Sequence, residues 1–155
     1  MELSPCIIQT LKRWFPDADL ARANIISSGR LARLVKKLDR AGITLGKTIL
    51  FGEGYYDPFS PGGIALIAHE LKHVLQYEEE GTIKFTLKYL WDWGRQGGKY
   101  SKEIHFEKEA YDLEEKIRKH LKKEFLENGN KGPCLRDEEG NATANVDYQE
   151  LPFAV

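Results

Sequence analysis

The chain has 155 residues, 41% of them hydrophobic and 30% charged, with 23 basic against 24 acidic side chains and a formal net charge of −1. This is enough chain for one domain with a core of its own and too apolar for disorder. No basic excess points to nucleic acid, and no apolar run is long enough to span a bilayer.

Ser4-Pro5 reads as an N-cap followed by proline at the first helical position. Ile7, Ile8, Leu11, Trp14 and Phe15 then recur at helical spacing as far as Pro16. Met1 to Pro16 has no basic stretch followed by an apolar core and a small-residue cleavage site, so no signal peptide is expected. Cys6 and Cys134 lie far apart and form no CxxC pair, so two free thiols are expected. Leu20 to Ile26 is ambiguous: alternation and an apolar close favour a strand, and the alanines weaken that reading. Ser28 opens a second helix with Leu31, Leu34, Val35 and Leu38 on one face, and Gly42 follows its end. Ile43 to Phe51 is rich in Thr and Ile and reads as two short strands around Gly46, or one bent strand. Gly52 to Pro58 is a loop.

Ser60-Pro61 repeats the cap-and-proline signature and opens a long helix through Ile64, Ile67, Leu71, Val74 and Leu75, which Gly81 breaks. Ile83 to Trp93 is a short aromatic helix, followed by a loop. Ser101 caps a last long helix that runs to about Phe125. From Glu127 onward, six acidic residues stand against two basic ones among several Gly and Asn. The expected organisation is one domain over 1–126 and a polar tail over 127–155 without a core of its own.

The chemistry sits in His69-Glu70-Leu71-Lys72-His73, inside the helix that starts at Pro61. Positions i and i+4 share one helix face, so two imidazoles there can converge on one ion. Zinc takes such nitrogens at about 2.0–2.1 Å and lowers the pKa of a bound water to about 7. Glu70, about a quarter-turn around the helix, is placed to act on that water as general base without binding the metal. A lone histidine on an apolar face is more often a core residue. Two at this spacing, with a glutamate between them and Ala65 to Ala68 and Val74-Leu75 around them, read as a metal site. A catalytic zinc needs a third protein ligand. The candidates are His105, His120 and the carboxylates of the last helix. Glu107 leads, because Ala110 on the same face allows close helix packing; Glu114, two turns along, and His105 follow.

Gly42 to Pro58 and Ser60 to Gln76, with "TLGKTILF" before "LIAHELKHVLQ", resemble the extracellular contractile injection system core domain, a metallopeptidase-like domain family known largely as a domain of unknown function. More broadly, the pattern is similar to the gluzincin peptidases, which pair HExxH with a glutamate in an ExxA/S-D helix. The resemblance implies an α+β, zincin-like fold, mostly helical, with a short mixed sheet over the HExxH helix. It implies zinc held by His69, His73 and Glu107, and hydrolysis of a peptide or protein substrate with Glu70 as base. An aspartate of the pattern falls on Tyr111 here, so support for a ligand histidine passes to Tyr111, Gln76 or Asp112. The edge strand along which substrate lies is expected at Thr48, Ile49, Leu50 and Phe51. Tyr55, Tyr56, Tyr100 and His105 are the candidates for oxyanion stabilisation. The alternative is a zincin-fold docking or cargo module without activity, working with injection-system or toxin-system partner proteins. Location is cytoplasmic by default, or outside the cell by export without a signal peptide.

Overall fold

The computed structural model describes residues 1–16, 18–95 and 105–145. The chain runs α1 (Pro5–Leu11), a 3-10 turn (Leu20–Arg22), β1 (Asn24–Ile26), α2 (Gly29–Lys37), β2 (Gly42–Leu45), β3 (Thr48–Phe51), α3 (Pro61–Glu80), α4 (Thr82–Arg95), α5 (His105–Glu127), β4 (Cys134–Arg136) and β5 (Ala142–Ala144). This is a small, mostly helical α+β protein with a short mixed sheet. None of the described helices is long and apolar enough to cross a membrane.

The long helix α3 forms as its signals require. Ser60 Oγ accepts from Gly63 N at 3.1 Å, Pro61 occupies the first turn, and Gly81 takes a positive φ just past the end. Ile64, Ala65, Ile67, Ala68, Leu71 and Val74 bury the side of α3 that meets the sheet and α5. Ile117 and Leu121 answer from α5, and Ile25, Ile49 and Phe51 from the sheet.

The sheet order is β1-β3-β2. β1 runs parallel to β3, pairing Ile25 with Ile49, and β2 runs antiparallel, pairing Thr44 with Ile49. The ambiguous stretch Leu20 to Ile26 therefore divides into a 3-10 turn and a strand. Its strand half corrects one expectation. Thr48, Ile49, Leu50 and Phe51 form the central strand, bonded on both sides, and cannot add a further chain. The edge beside α3 is β2. The first edge, β1, is partly covered by Glu2, which bridges to Asn24.

α2 differs too. Ala32 and Val35 are buried against β3, but Leu31, Leu34 and Leu38 are 49%, 52% and 57% exposed. A helix this short, packed on one strand, buries only one narrow stripe. The helix ends at Lys37, and Asp39 rather than Gly42 takes the left-handed φ after it; Gly42 opens β2. Ser101 lies outside the described residues.

The expected bare tail is, over its described part, a hairpin. β4 pairs antiparallel with β5, and the hairpin packs on α1. The two cysteines are not free: Cys6 on α1 and Cys134 on β4 form a disulfide, with Cα atoms 5.8 Å apart across a sequence separation of 128. Separation in sequence concealed this pairing, which exists only because the fold returns the chain to α1. In the chain-entropy picture, a link closing so long a loop stabilises by about 5 kcal/mol, against about 2–4 kcal/mol for a typical disulfide. Reductant should therefore lower the unfolding temperature of the wild-type chain and leave that of the Cys6→Ser/Cys134→Ser variant unmoved, already at the lower value. Thermal unfolding by circular dichroism reads both.

Candidate metal centre

His69 and His73 project from one face of α3 toward α5, as their spacing dictates. Opposite them Ala110, fully buried and without a long side chain, lets α5 approach, and Glu107 comes within reach one turn earlier. His69 Nε2 and His73 Nε2 stand 3.2 Å apart, and each is 3.6 Å from Glu107 Oε2. Tetrahedral donors at about 2.0–2.1 Å from zinc stand about 3.3–3.4 Å from one another. The triangle matches that within a few tenths of an ångström. Of the described residues, these three alone form such a cluster, and all three are buried.

The hydrogen bonding around the triangle assigns the nitrogens. Gln76 Nε2 donates to Phe106 O at 3.2 Å and to Glu109 Oε2 at 3.0 Å, which turns Gln76 Oε1 toward His73 Nδ1 at 2.8 Å. An amide oxygen only accepts, so Nδ1 carries the proton and Nε2 presents its lone pair to the triangle. On His69 the second nitrogen, Nδ1, lies 3.0 Å from Glu114 Oε2, with the carboxylate off the N–H axis. Glu114 is itself held by Arg118. Thus Glu114 backs a histidine from the outer side. Tyr111 packs its ring edge-on to His69, centroids 4.6 Å apart. His105 is exposed, pairs with Glu109 and stays out of the cluster. His120 belongs elsewhere, bonded to Glu124. Tyr55 is exposed and Tyr56 packs on Phe51; Tyr100 lies outside the described residues.

Glu70 points from the neighbouring face of α3 to strand β2. Thr44 Oγ1 donates to its Oε2 at 2.7 Å and also reaches its backbone carbonyl at 3.2 Å. A Cβ on Gly42 would overlap Glu70 Oε1, so glycine is what allows the strand this close. Burial pushes the Glu70 carboxyl up from its ordinary value, with His73 and His69 pulling the other way. Neither Thr44 nor Gly42 could be found from sequence spacing, because both meet Glu70 only through strand-helix packing. His69, Glu70, Tyr111 and Glu114 line one end of a cleft of about 1010 Å³. β2 contributes Gly42 to it, and the start of α3 contributes Gly62 and Leu66.

Residues 2–81 match the eCIS core domain. The chain belongs to that family. The match spans the sheet and the whole of α3, including both histidines and Glu70, and stops before α5. Among curated proteins and among solved structures, none matches the chain significantly.

Burial disfavours a charged His69, but Glu107 and Glu114, with help from Glu70, outweigh it and push its pKa up to about 9. A histidine raised above its ordinary value of about 6.5 lends stability that is full below 6.5 and is lost as pH rises through about 9. A metal ion taken up by these three residues would have to displace that proton. The metal-free protein should therefore lose unfolding temperature between pH 6.5 and 9, while zinc affinity rises across the same window; thermal melts and chelator competition at each pH test the pair of trends. In the same competition assay, Glu107→Ala should abolish one-to-one zinc binding, and Gln76→Leu should weaken it roughly 10–100-fold.

Proposed function

We propose that this eCIS core domain protein is a zinc-dependent metallopeptidase of gluzincin type, with zinc on His69, His73 and Glu107 and with Glu70 as general base. The observation that carries the reading is the placement of Glu70. Its buried carboxylate is held through one oxygen by Thr44, on the helix face next to the two histidines, where a cleft reaches the same helix. The glycine opposite lets strand β2 close on the carboxylate, and the hydroxyl fixes its orientation.

When bound, zinc would supply a Lewis acid for the scissile carbonyl and an acidified water. The chain's own residues do the rest. Glu70 takes a proton from the attacking water and later delivers it to the leaving amine. Burial and the low-dielectric surroundings raise its proton affinity toward that role. Thr44 keeps the carboxylate from swinging away. Gln76 and Glu114 hold the two imidazoles in register. β2, the open edge, is the strand along which an extended peptide can add, which moves the substrate-pairing role from Thr48–Phe51 to Gly42–Leu45.

Removing a general base costs about 10²- to 10⁴-fold in rate. Glu70→Gln should lose that much turnover on quenched-fluorescence peptide libraries and unfolded proteins while keeping one zinc per chain. Gly42→Ala should lower kcat with the metal retained, because the new methyl displaces the Glu70 carboxylate. If zinc-loaded wild type and Glu70→Gln cut at the same rate, Glu70 is not the base; if neither cuts any substrate of a broad panel, the protein is a metal-holding docking module instead.

A further inference from the structure

Two surfaces outside the metal centre are chemically complementary. The first is the outward side of α2. Leu31, Leu34 and Leu38 recur at helical spacing and are about half exposed. At about 100° per residue, Arg30, Arg33 and Lys37 form a ridge along one border of this stripe, and buried Ala32 and Val35 lie along the other. Among the described residues, no carboxylate lies within ion-pair reach of Arg30, Arg33 or Lys37, and no other interaction engages these three cations apart from a 3.5 Å contact of Arg33 Nε with Gly29 O. On α5, by comparison, four Lys/Arg/His–Glu pairs at i,i+4 run over Glu114–Glu127.

The second surface is a groove of about 820 Å³ bounded by residues 14–16 and 18–22, which follow α1, the second half of α3 and the first half of α5. Trp14 and Leu75 give it apolar lining. Five carboxylates line it; Asp19, Glu109 and Glu78 are paired with Arg22, Lys72 and Lys47, and Glu79 and Asp112 leave it acidic. Glu79 and Asp112 have no cation within reach among the described residues.

We propose that the leucine-and-arginine side of α2 in one copy docks into the acidic groove of a second copy, head to tail. The attraction is local, since the whole chain is nearly neutral. α2 is anchored on β3 through Ala32 and Val35 and keeps its leucines outward. Two α2 helices meeting face to face would set cations against cations, which costs rather than gains. A lipid surface suits a broader apolar face carrying aromatic residues, and this stripe holds three leucines alone. The groove's volume is that of a site taking a few apolar side chains. A helix of under three turns gives a contact at the small end of the range, below about 1,200 Å² in total, so the association is weak, reversible and salt-sensitive. Because the two patches differ, each copy keeps one free, and growth continues into short chains or closes into a ring.

Neither surface contains a metal ligand or Glu70, so this inference goes beyond the peptidase reading and stands without it. Sedimentation equilibrium of the 155-residue chain at low salt should give a mass that rises above 17.8 kDa with concentration and falls back when salt is added. Arg33→Glu alone and Glu79→Lys alone should each weaken self-association at least tenfold, with unfolding temperatures unchanged because both positions are exposed. An equimolar mixture of the two variants should associate again, because the intact helix of one meets the intact groove of the other. A mass fixed at the monomer value at every concentration overturns the proposal. So does a mixture that stays monomeric, or a Glu79→Lys variant that associates like wild type, the result expected of α2–α2 pairing.

Discussion

The packing of α5 against α3 is the contact on which the rest depends. Ala65 and Ala68 are buried on α3 and Ala110 on α5, and Ile117 and Leu121 of α5 are buried in the same core. A larger side chain at 110 would push α5 outward. Glu107, one turn away, would then leave the two imidazoles, and Glu114, one turn on the other side, would leave His69 Nδ1. The same seam thus sets the fold and the spacing of the candidate ligands.

That spacing has an electrostatic consequence. His69, Glu70, His73, Glu107 and Glu114 are all buried within two facing helices. Ionised groups out of water are costly unless each finds an opposite charge or a hydrogen bond. Without metal, the cluster meets the demand by holding a proton on His69 between two carboxylates. A divalent cation on the cluster would meet it more completely. The partners beyond the cluster are consistent with this: Gln76 is fixed from two sides and offers His73 only an acceptor, and Arg118 holds Glu114 toward His69. An apolar core of equal volume would need none of them.

The sheet is small, but its topology decides what can reach the site. With β3 saturated on both sides, β2 is, among the described residues, the strand that presents an unpaired edge beside α3. β2 is also the strand that carries Thr44 and Gly42 to Glu70. The disulfide and the β4–β5 hairpin stand on the other flank, tying the end of the described chain back to α1 and closing the core there.

Local pattern alone determined the elements whose signals are local. The proline and serine caps mark α1 and α3, the strand pair flanks Gly46, and i,i+4 spacing places His69 and His73 together with Glu70 beside them. A helix face is a matter of a few residues, so spacing suffices. Glu107 was legible only as one of several carboxylates, because choosing among them needs the distance between two helices. What depends on elements distant in sequence was not legible. The pairing of Cys6 with Cys134, the central place of Thr48–Phe51, the exposure of Leu31, Leu34 and Leu38, and the grip of Thr44 on Glu70 each follow from which surfaces the folded chain brings together. Hydrophobic pattern states that a side chain can be buried; only tertiary packing decides against what.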